Sequence, residues 1–125
     1  MKNPIGWFDI YVNDIERAVK FYEAVFNVEL KDLSNPSNDS MIMKIFPENM
    51  EEYGATGAIV QKDDVEAGHN STIVYFNCED CAIEESRVVS AGGVIVAPKF
   101  SIGNFGFITL CNDTEGNTIG LHSMQ

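Results

Sequence analysis

The stretch Ser71–Gly93, STIVYFNCEDCAIEESRVVSAGG, contains a complete strand–helix unit. Its first residues are rich in β-branched and aromatic side chains, which favour an extended strand. Asp80 stands where a helix N-cap belongs, and the acidic residues after it suit the positive end of the helix dipole. Gly92 is a typical helix stop, because glycine adopts the left-handed conformation readily. The stretch therefore predicts a strand over 71–78 and a helix over 80–91, and the apolar run that follows it predicts a further strand over 94–97.

The N-terminal half has the same plan. Residues 5–12 have a strand pattern, and Asp14 can cap a helix over 14–26. The two capping aspartates lie 66 positions apart, about half the chain. A strand followed by Asp and a helix is common, so this spacing alone could be a coincidence. The turn glycines that lead into a closing strand in Gly54–Val60 and Gly116–His122 also agree, and they favour an internal duplication.

Apolar residues recur at helical spacing in both predicted helices and indicate their inner faces. They are Ile15, Ala18, Val19, Tyr22 and Phe26 in the first helix, and Ile83, Val88 and Ala91 with Cys81 in the second. Further strands are predicted at 28–33, 41–46, 56–61, 105–111 and 118–123, with turn-forming residues at 34–39 and an acidic connector at 48–53. We predict one α+β domain over 1–125, with βαβββ modules at about 1–62 and 71–125 and a linker at 63–70.

Composition narrows the classes of function. The chain has 125 residues, of which 45% are hydrophobic and 22% charged, as is usual for a soluble globular protein. The net charge of −11 argues against binding to nucleic acid or to an anionic membrane surface, because both need a basic face. No apolar run approaches the roughly 20 residues that span a bilayer. The N-terminus lacks a signal-peptide core, so we expect a cytoplasmic location.

The cysteines include a C-x-x-C string, Cys78 to Cys81, which can indicate a redox or zinc site. Here Cys78 ends a strand and Cys81 begins a helix, and no second cysteine pair completes a zinc site. We therefore interpret Cys78, Cys81 and Cys111 as small buried hydrophobic residues.

Several motifs together resemble a known family. They are Ile10–Asp14 leading into Arg17–Tyr22, Tyr75–Asp80, Ala91-Gly92-Gly93, and Asp113–Asn117. With them nearly the whole chain resembles the vicinal oxygen chelate superfamily, which includes glyoxalase I, bleomycin-resistance proteins, extradiol dioxygenases and fosfomycin-resistance enzymes. The resemblance implies paired βαβββ modules whose mixed sheets curl into a cup around one ligand site. It also implies a symmetric homodimer.

The resemblance further implies where a metal ion would be held. Metal-dependent members carry His, Gln or Glu ligands on the first and fourth strands of each module, and the matching positions here are Trp7, Ala58, Ile73 and Gly120. None of these side chains can coordinate a metal. His69 lies in the linker, where a solvated residue is expected. We therefore predict that the protein uses neither a metal nor another cofactor.

Strand parity predicts which residues face the cup. If Phe8, Ile10 and Val12 pack on the helix, the residues that alternate with them face the cup. The predicted ligand-binding residues are Trp7, Tyr11, Tyr75, Asn77 and Thr118, and the candidate catalytic residues are Asp9 and His122. An alternative is a packed core with an Asp9–His122 ion pair at its edge. Lys44 and Phe46 share one face of the third strand, but parity leaves that face undetermined.

Two classes of function follow. The first is a protein that binds a small organic molecule in a metal-free cup of aromatic and polar side chains. The alternative is a glyoxalase-like lyase, isomerase or dioxygenase. It would need a displaced metal, or acid–base catalysis by Asp9 and His122 if their strands are neighbours.

Overall fold

The computed structural model describes residues 3–33 and 40–125 and contains the same order of elements twice. The first module consists of β1 (Phe8–Tyr11), α1 (Ile15–Phe26), β2 (Lys31–Asp32), β3 (Met41–Ile45) and β4 (Gly57–Lys62). The second consists of β5 (Tyr75–Asn77), α2 (Cys81–Val88), β6 (Val94–Ser101), β7 (Phe107–Asn112) and β8 (Thr118–Ser123). The predicted α+β class and the βαβββ repeat are therefore confirmed, while the turn predicted at 34–39 lies outside the described residues.

Each module forms one four-stranded mixed sheet. The strand order is β1-β4-β3-β2 in the first sheet and β5-β8-β7-β6 in the second. The first and last strands of each module are parallel neighbours, and the remaining pairs are antiparallel. Within the described residues, no helix is long and apolar enough to cross a membrane.

Both helices begin where the capping aspartates predict. The Asp14 carboxylate accepts a hydrogen bond from the Arg17 backbone N–H at 3.1 Å, and that of Asp80 accepts one from Ala82 at 3.0 Å. Helix α2 ends at Val88, earlier than predicted, and the chain then turns towards Gly92, whose φ is +101°.

The second helix buries a narrower face than its pattern indicates. Cys81 and Val88, seven residues apart, are fully buried, whereas Ile83 is largely exposed. Two positions along a helix correspond to about 200° of rotation, so Ile83 points away from the sheet that Cys81 contacts. The prediction that Ile83 faces the core was wrong.

The strands differ from the predicted ranges where pairing decides their length. Strand β5 is shorter than 71–78, although backbone hydrogen bonds at Val74 and Cys78 extend its contact with β8. Strand β6 continues through Pro98, where the sequence predicted its end. It lies at the edge of its sheet, where a proline without an N–H is tolerated. Strand β2 pairs over only two residues.

One hydrophobic core joins the modules. Its centre is a group of aromatic rings with centroids 4.4 to 6.3 Å apart: Phe8, Tyr22, Phe26, Phe46 and Phe76. Phe76 belongs to the second module and the other rings to the first. Each sheet therefore completes the apolar environment of the other module.

The cysteines behave as small apolar residues. Cys81 and Cys111 are fully buried, and Cys78 is half-buried. Burial is the main cause that raises the pKa of Cys78 and of Cys111 to about 12. Their thiols therefore stay protonated at neutral pH, which argues against redox chemistry or nucleophilic catalysis.

The turn before β8 is hydrogen-bonded to the first helix and so links the second module to the first. The side chain of Glu115 is fully buried, and its carboxylate accepts five hydrogen bonds of 2.7 to 3.0 Å. The donors are the backbone N–H groups of Asn13 and Asp14, two guanidinium nitrogens of Arg17, and the Thr114 hydroxyl. Burial raises the pKa of this carboxyl, but the hydrogen bonds, that of Arg17 first, outweigh burial and lower the pKa from 4.5 to about 2.

A second buried carboxylate in the same turn supports this junction. Asp113 accepts a hydrogen bond of 2.6 Å from the hydroxyl of Tyr22 on α1, and further ones from Glu115 and Asn117 within the turn. The family-like motif Asp113–Asn117 thus links the modules as well as forming the turn into β8.

Candidate functional site

A cavity of about 970 Å³ lies on the faces of the two sheets opposite the core, and both modules contribute to its wall. Strand β1 alternates as parity predicts: Ile10 and Val12 are buried in the core with α1, whereas Asp9 is exposed and lines the cavity. The second sheet contributes Tyr75 from β5 and His122 from β8. This cavity corresponds to the cup that the sequence predicts.

Most of the predicted site residues meet in this cup, namely Trp7, Asp9, Tyr75, Asn77 and His122. The other two lie apart. Tyr11 and Thr118 line a smaller cavity of about 260 Å³, which shares Asp9 with the cup. All seven residues therefore line cavities, and their positions along the strands decide which of the two cavities each one lines.

Large aromatic surfaces remain uncovered in the cup. Trp7 is 40% exposed and Tyr75 is 46% exposed. The Trp7 indole Nε1–H donates a hydrogen bond to Asp9 Oδ1 at 2.9 Å, which holds the indole beside a carboxylate on the same face of the strand. The alternative in which Trp7 and Tyr75 fill a closed core does not agree with this exposure. Exposed rings around a concavity are surfaces on which a ligand can stack.

Asp9 and His122 do not form the pair that acid–base catalysis would need. Strand β1 belongs to the first sheet and β8 to the second, so the two strands are not neighbours. Asp9 bonds to Trp7, and His122 Nε2 donates to the Phe105 carbonyl oxygen at 2.6 Å. In the part of the chain that the structure describes, no hydrogen bond or ion pair joins them. The condition attached to the predicted dyad is not met.

The positions that hold metal ligands in metal-dependent relatives offer no donors. Tyr75 and Gly120 are paired in register, and a Cβ added at Gly120 would lie 2.2 Å from the Tyr75 ring. A Glu at this position would therefore require Tyr75 to move. Among residues 3–33 and 40–125, no group of three or more His, Cys, Asp or Glu side chains could hold a metal ion. These residues do not fit the metal of the metal-dependent members.

Lys44 in β3 and Phe46, directly after it, lie on the face that packs on the helix, and neither lines the cup. Phe46 is buried in the core, with its ring centroid 5.5 Å from that of Tyr22. Lys44 pairs in register with the core residue Ile59 and forms an ion pair with Asp32. The face that parity left undetermined is therefore the one that packs on the helix, and neither residue belongs to the site.

The cup also contains residues that the sequence analysis missed. Tyr53 comes from the acidic connector and Gly54 from the turn after it, Ile5 comes from the N-terminal segment, and Ile102 from the short turn before β7. The connector and the turn are irregular, so no periodicity predicts the direction of their side chains. Ile5, in contrast, has the same parity as Trp7 and Asp9 in the strand predicted over 5–12, and that alternation could have found it. Tyr53 and Ile102 are apolar residues in irregular segments, which sequence alone cannot assign to a cavity.

Residues 4–121 match the family model of the Glyoxalase/Bleomycin resistance protein/Dioxygenase superfamily. Glyoxalase I from Zea mays has a similar structure, with a TM-score of 0.76 at 19% identity. The match covers 97% of this chain but 46% of the maize chain, so this chain spans less than half of that protein.

Two shorter proteins are similar over most of their length. A glyoxylase/bleomycin resistance protein/dioxygenase domain from Frankia sp. has a TM-score of 0.71 at 14% identity, with 100% of both chains covered. A glyoxalase-related enzyme from Fulvimarina pelagi has a TM-score of 0.65 at 16% identity, with 97% of this chain and 88% of that chain covered. Curated protein sequences gave no significant match. At these identities the structures show a shared fold.

Proposed function

Because this chain belongs to the Glyoxalase/Bleomycin resistance protein/Dioxygenase superfamily, we propose that its cup binds a small organic molecule through side chains alone, without a metal ion. The observation that carries the proposal is the cavity of about 970 Å³ with the exposed rings of Trp7 and Tyr75 in its wall. Ligand sites for small molecules typically enclose about 300 to 1,000 Å³ and combine apolar walls with a few polar groups.

The wall has the chemistry to hold and orient such a ligand. Trp7 and Tyr75 offer ring faces for stacking, while Ile5, Ile102 and Ile108 add aliphatic surface. Asn77 presents an amide and Asp9 a carboxylate to the same space. Burial of the ligand's apolar surface would supply most of the affinity, and these polar groups would select its orientation.

The side chains of the cup favour binding over catalysis, because they do not supply the groups that the two candidate reaction types need. A metal held as in the metal-dependent members would need ligands at Trp7, Ala58, Ile73 and Gly120, and these residues supply none. An acid–base reaction would need Asp9 to orient His122, whereas these residues lie on separate sheets with other partners. The fold alone gives no reason to assign a reaction, because one fold supports many functions.

Trp7 is the only tryptophan, so its fluorescence tests the proposal directly. We expect that at least one compound in a broad metabolite library shifts Trp7 emission saturably, and that Tyr75→Ala weakens its binding about tenfold through lost stacking. Phe100→Ala is the matched control, because Phe100 is similarly exposed but does not line the cup. The proposal fails if Trp7 emission is unmoved across the library, or if both variants weaken binding equally.

Metal analysis tests the alternative function. We expect protein purified without chelator to contain far less than one transition-metal ion per chain. A stoichiometric ion that is lost in Asp9→Asn or His122→Ala would instead support the glyoxalase-like enzyme.

A further inference from the structure

The described wall of the cup carries negative charge without a basic residue to balance it. Among the described residues that line the cavity, Asp9 is the one carboxylate, and none is Lys or Arg. His122 and the tyrosines are the other ionisable side chains there. The whole chain carries a net charge of −11, so its long-range field has the same sign as Asp9. A ligand that enters this cup therefore meets a negative potential.

The charge of Asp9 is available to a ligand. Its Oδ1 atom accepts the hydrogen bond from Trp7, a neutral donor, at 2.9 Å. Within residues 3–33 and 40–125, no ion pair engages this carboxylate. Asp9 is exposed on the cup side of β1, so its Oδ2 atom can meet a donor or a positive group.

Three exposed aromatic side chains line the same space: Trp7, Tyr53 and Tyr75, with exposures of 40%, 78% and 46%. The face of an aromatic ring carries negative electrostatic potential and attracts ammonium and other organic cations, indole most strongly. Cages of aromatic rings are the arrangement by which proteins recognise quaternary ammonium groups. A neutral aromatic ligand would stack on these rings without any gain from Asp9.

We propose that the cup selects organic cations, with the positive group over the rings of Trp7 and Tyr75 and close to the Asp9 carboxylate. This inference rests on the proposed binding function and adds the ligand class. A planar cation, such as an N-alkylated aromatic heterocycle, satisfies both features at once. An anion of the same shape meets the Asp9 charge without a compensating basic residue in the described wall.

Calorimetric titration with three probes of similar shape tests the proposal: N-methylquinolinium chloride, quinoline and sodium 1-naphthoate. At about pH 7.5 these probes are a cation, a neutral molecule and an anion. We expect the cation to bind about tenfold more tightly than quinoline, and naphthoate to bind most weakly. Raising NaCl from about 20 mM to about 0.5 M should weaken the cation selectively, because salt screens exposed charges.

Two variants with the same change of net charge locate the effect. Asp9→Asn keeps an oxygen for the Trp7 indole but removes the charge, and it should weaken the binding of N-methylquinolinium about fivefold more than that of quinoline. Glu29→Gln should change neither, because Glu29 is exposed outside the cup. Thermal melts establish that both variants are folded.

The failures of the two proposals are distinguishable. If all three probes bind with equal affinity, or naphthoate binds best, the cation inference is overturned while binding in the cup stands. It is overturned as well if Asp9→Asn and Glu29→Gln weaken the cation equally. If no probe binds and no library compound shifts Trp7 emission, the proposed binding function itself has failed.

Discussion

Glu115 should contribute a large share of the stability of the fold, and Glu115→Gln tests this. The substitution keeps the size of the side chain but removes the charge that accepts hydrogen bonds from Arg17 and from the backbone N–H groups at the start of α1. A pKa lowered from 4.5 to about 2 corresponds to about 3 kcal/mol of preference for the charged carboxylate in the folded state. Because Arg17 is half-exposed and screened by solvent, we expect a loss of about 2 kcal/mol.

The loss should depend on pH with a definite sign. A carboxyl whose pKa is lower in the folded than in the unfolded state stabilises the fold above its unfolded pKa, here 4.5. That stabilisation disappears as the pH falls from 4.5 towards 2. Wild type and Glu115→Gln should therefore differ most at neutral pH and converge near pH 2.

The stability difference between wild type and Glu115→Gln is measured by urea unfolding followed by circular dichroism. The series runs from neutral pH down to the lowest pH at which wild type still folds. Glu29→Gln is the matched control, because it removes one exposed carboxylate and should change the stability by less than about 0.5 kcal/mol. If the two variants lose equal stability at neutral pH, or the effect of Glu115→Gln stays constant as pH falls, the reasoning about the buried charge is refuted.

Two further predictions concern the cup and the cysteines. Gly120→Ala should destabilise the protein by about 1 to 3 kcal/mol, because its Cβ would lie 2.2 Å from the Tyr75 ring. Adding Tyr75→Ala to the same chain should recover most of the lost stability. If Gly120→Ala destabilises the protein and the double variant does not recover stability, the predicted contact is contradicted. The pKa values of Cys78 and Cys111 are raised to about 12, so few of their thiols are ionised at about pH 8. We expect a thiol reagent to label them at least a hundredfold more slowly in folded protein than in urea-unfolded protein. Labelling at equal rates would contradict their burial.

The parts of this structure that local rules determine could be predicted from sequence. Asp14 and Asp80 cap their helices through short-range hydrogen bonds, which residue type and spacing reveal. The alternation of β1 likewise assigned Trp7 and Asp9 to the cup.

What could not be predicted depends on which segments meet in space. Asp9 and His122 lie on the expected faces, but the strand order places them on separate sheets. The sequence pattern predicts only that Glu115 belongs to a turn, whereas its partner Arg17 on α1 lies about a hundred residues away in the chain. Tyr53 reaches the cup from an irregular connector. Local patterns contain no information about such long-range neighbours.

The contact between Phe76 and Phe26, whose centroids lie 4.4 Å apart, has a consequence for the repeat itself. A polypeptide ending after the first module would leave Phe26 and its neighbouring rings in water until it met a second copy or a complementary half. Its folding would then be a bimolecular reaction that slows on dilution. Joining both halves through residues 63–70 replaces that encounter with an effective local concentration set by the tether.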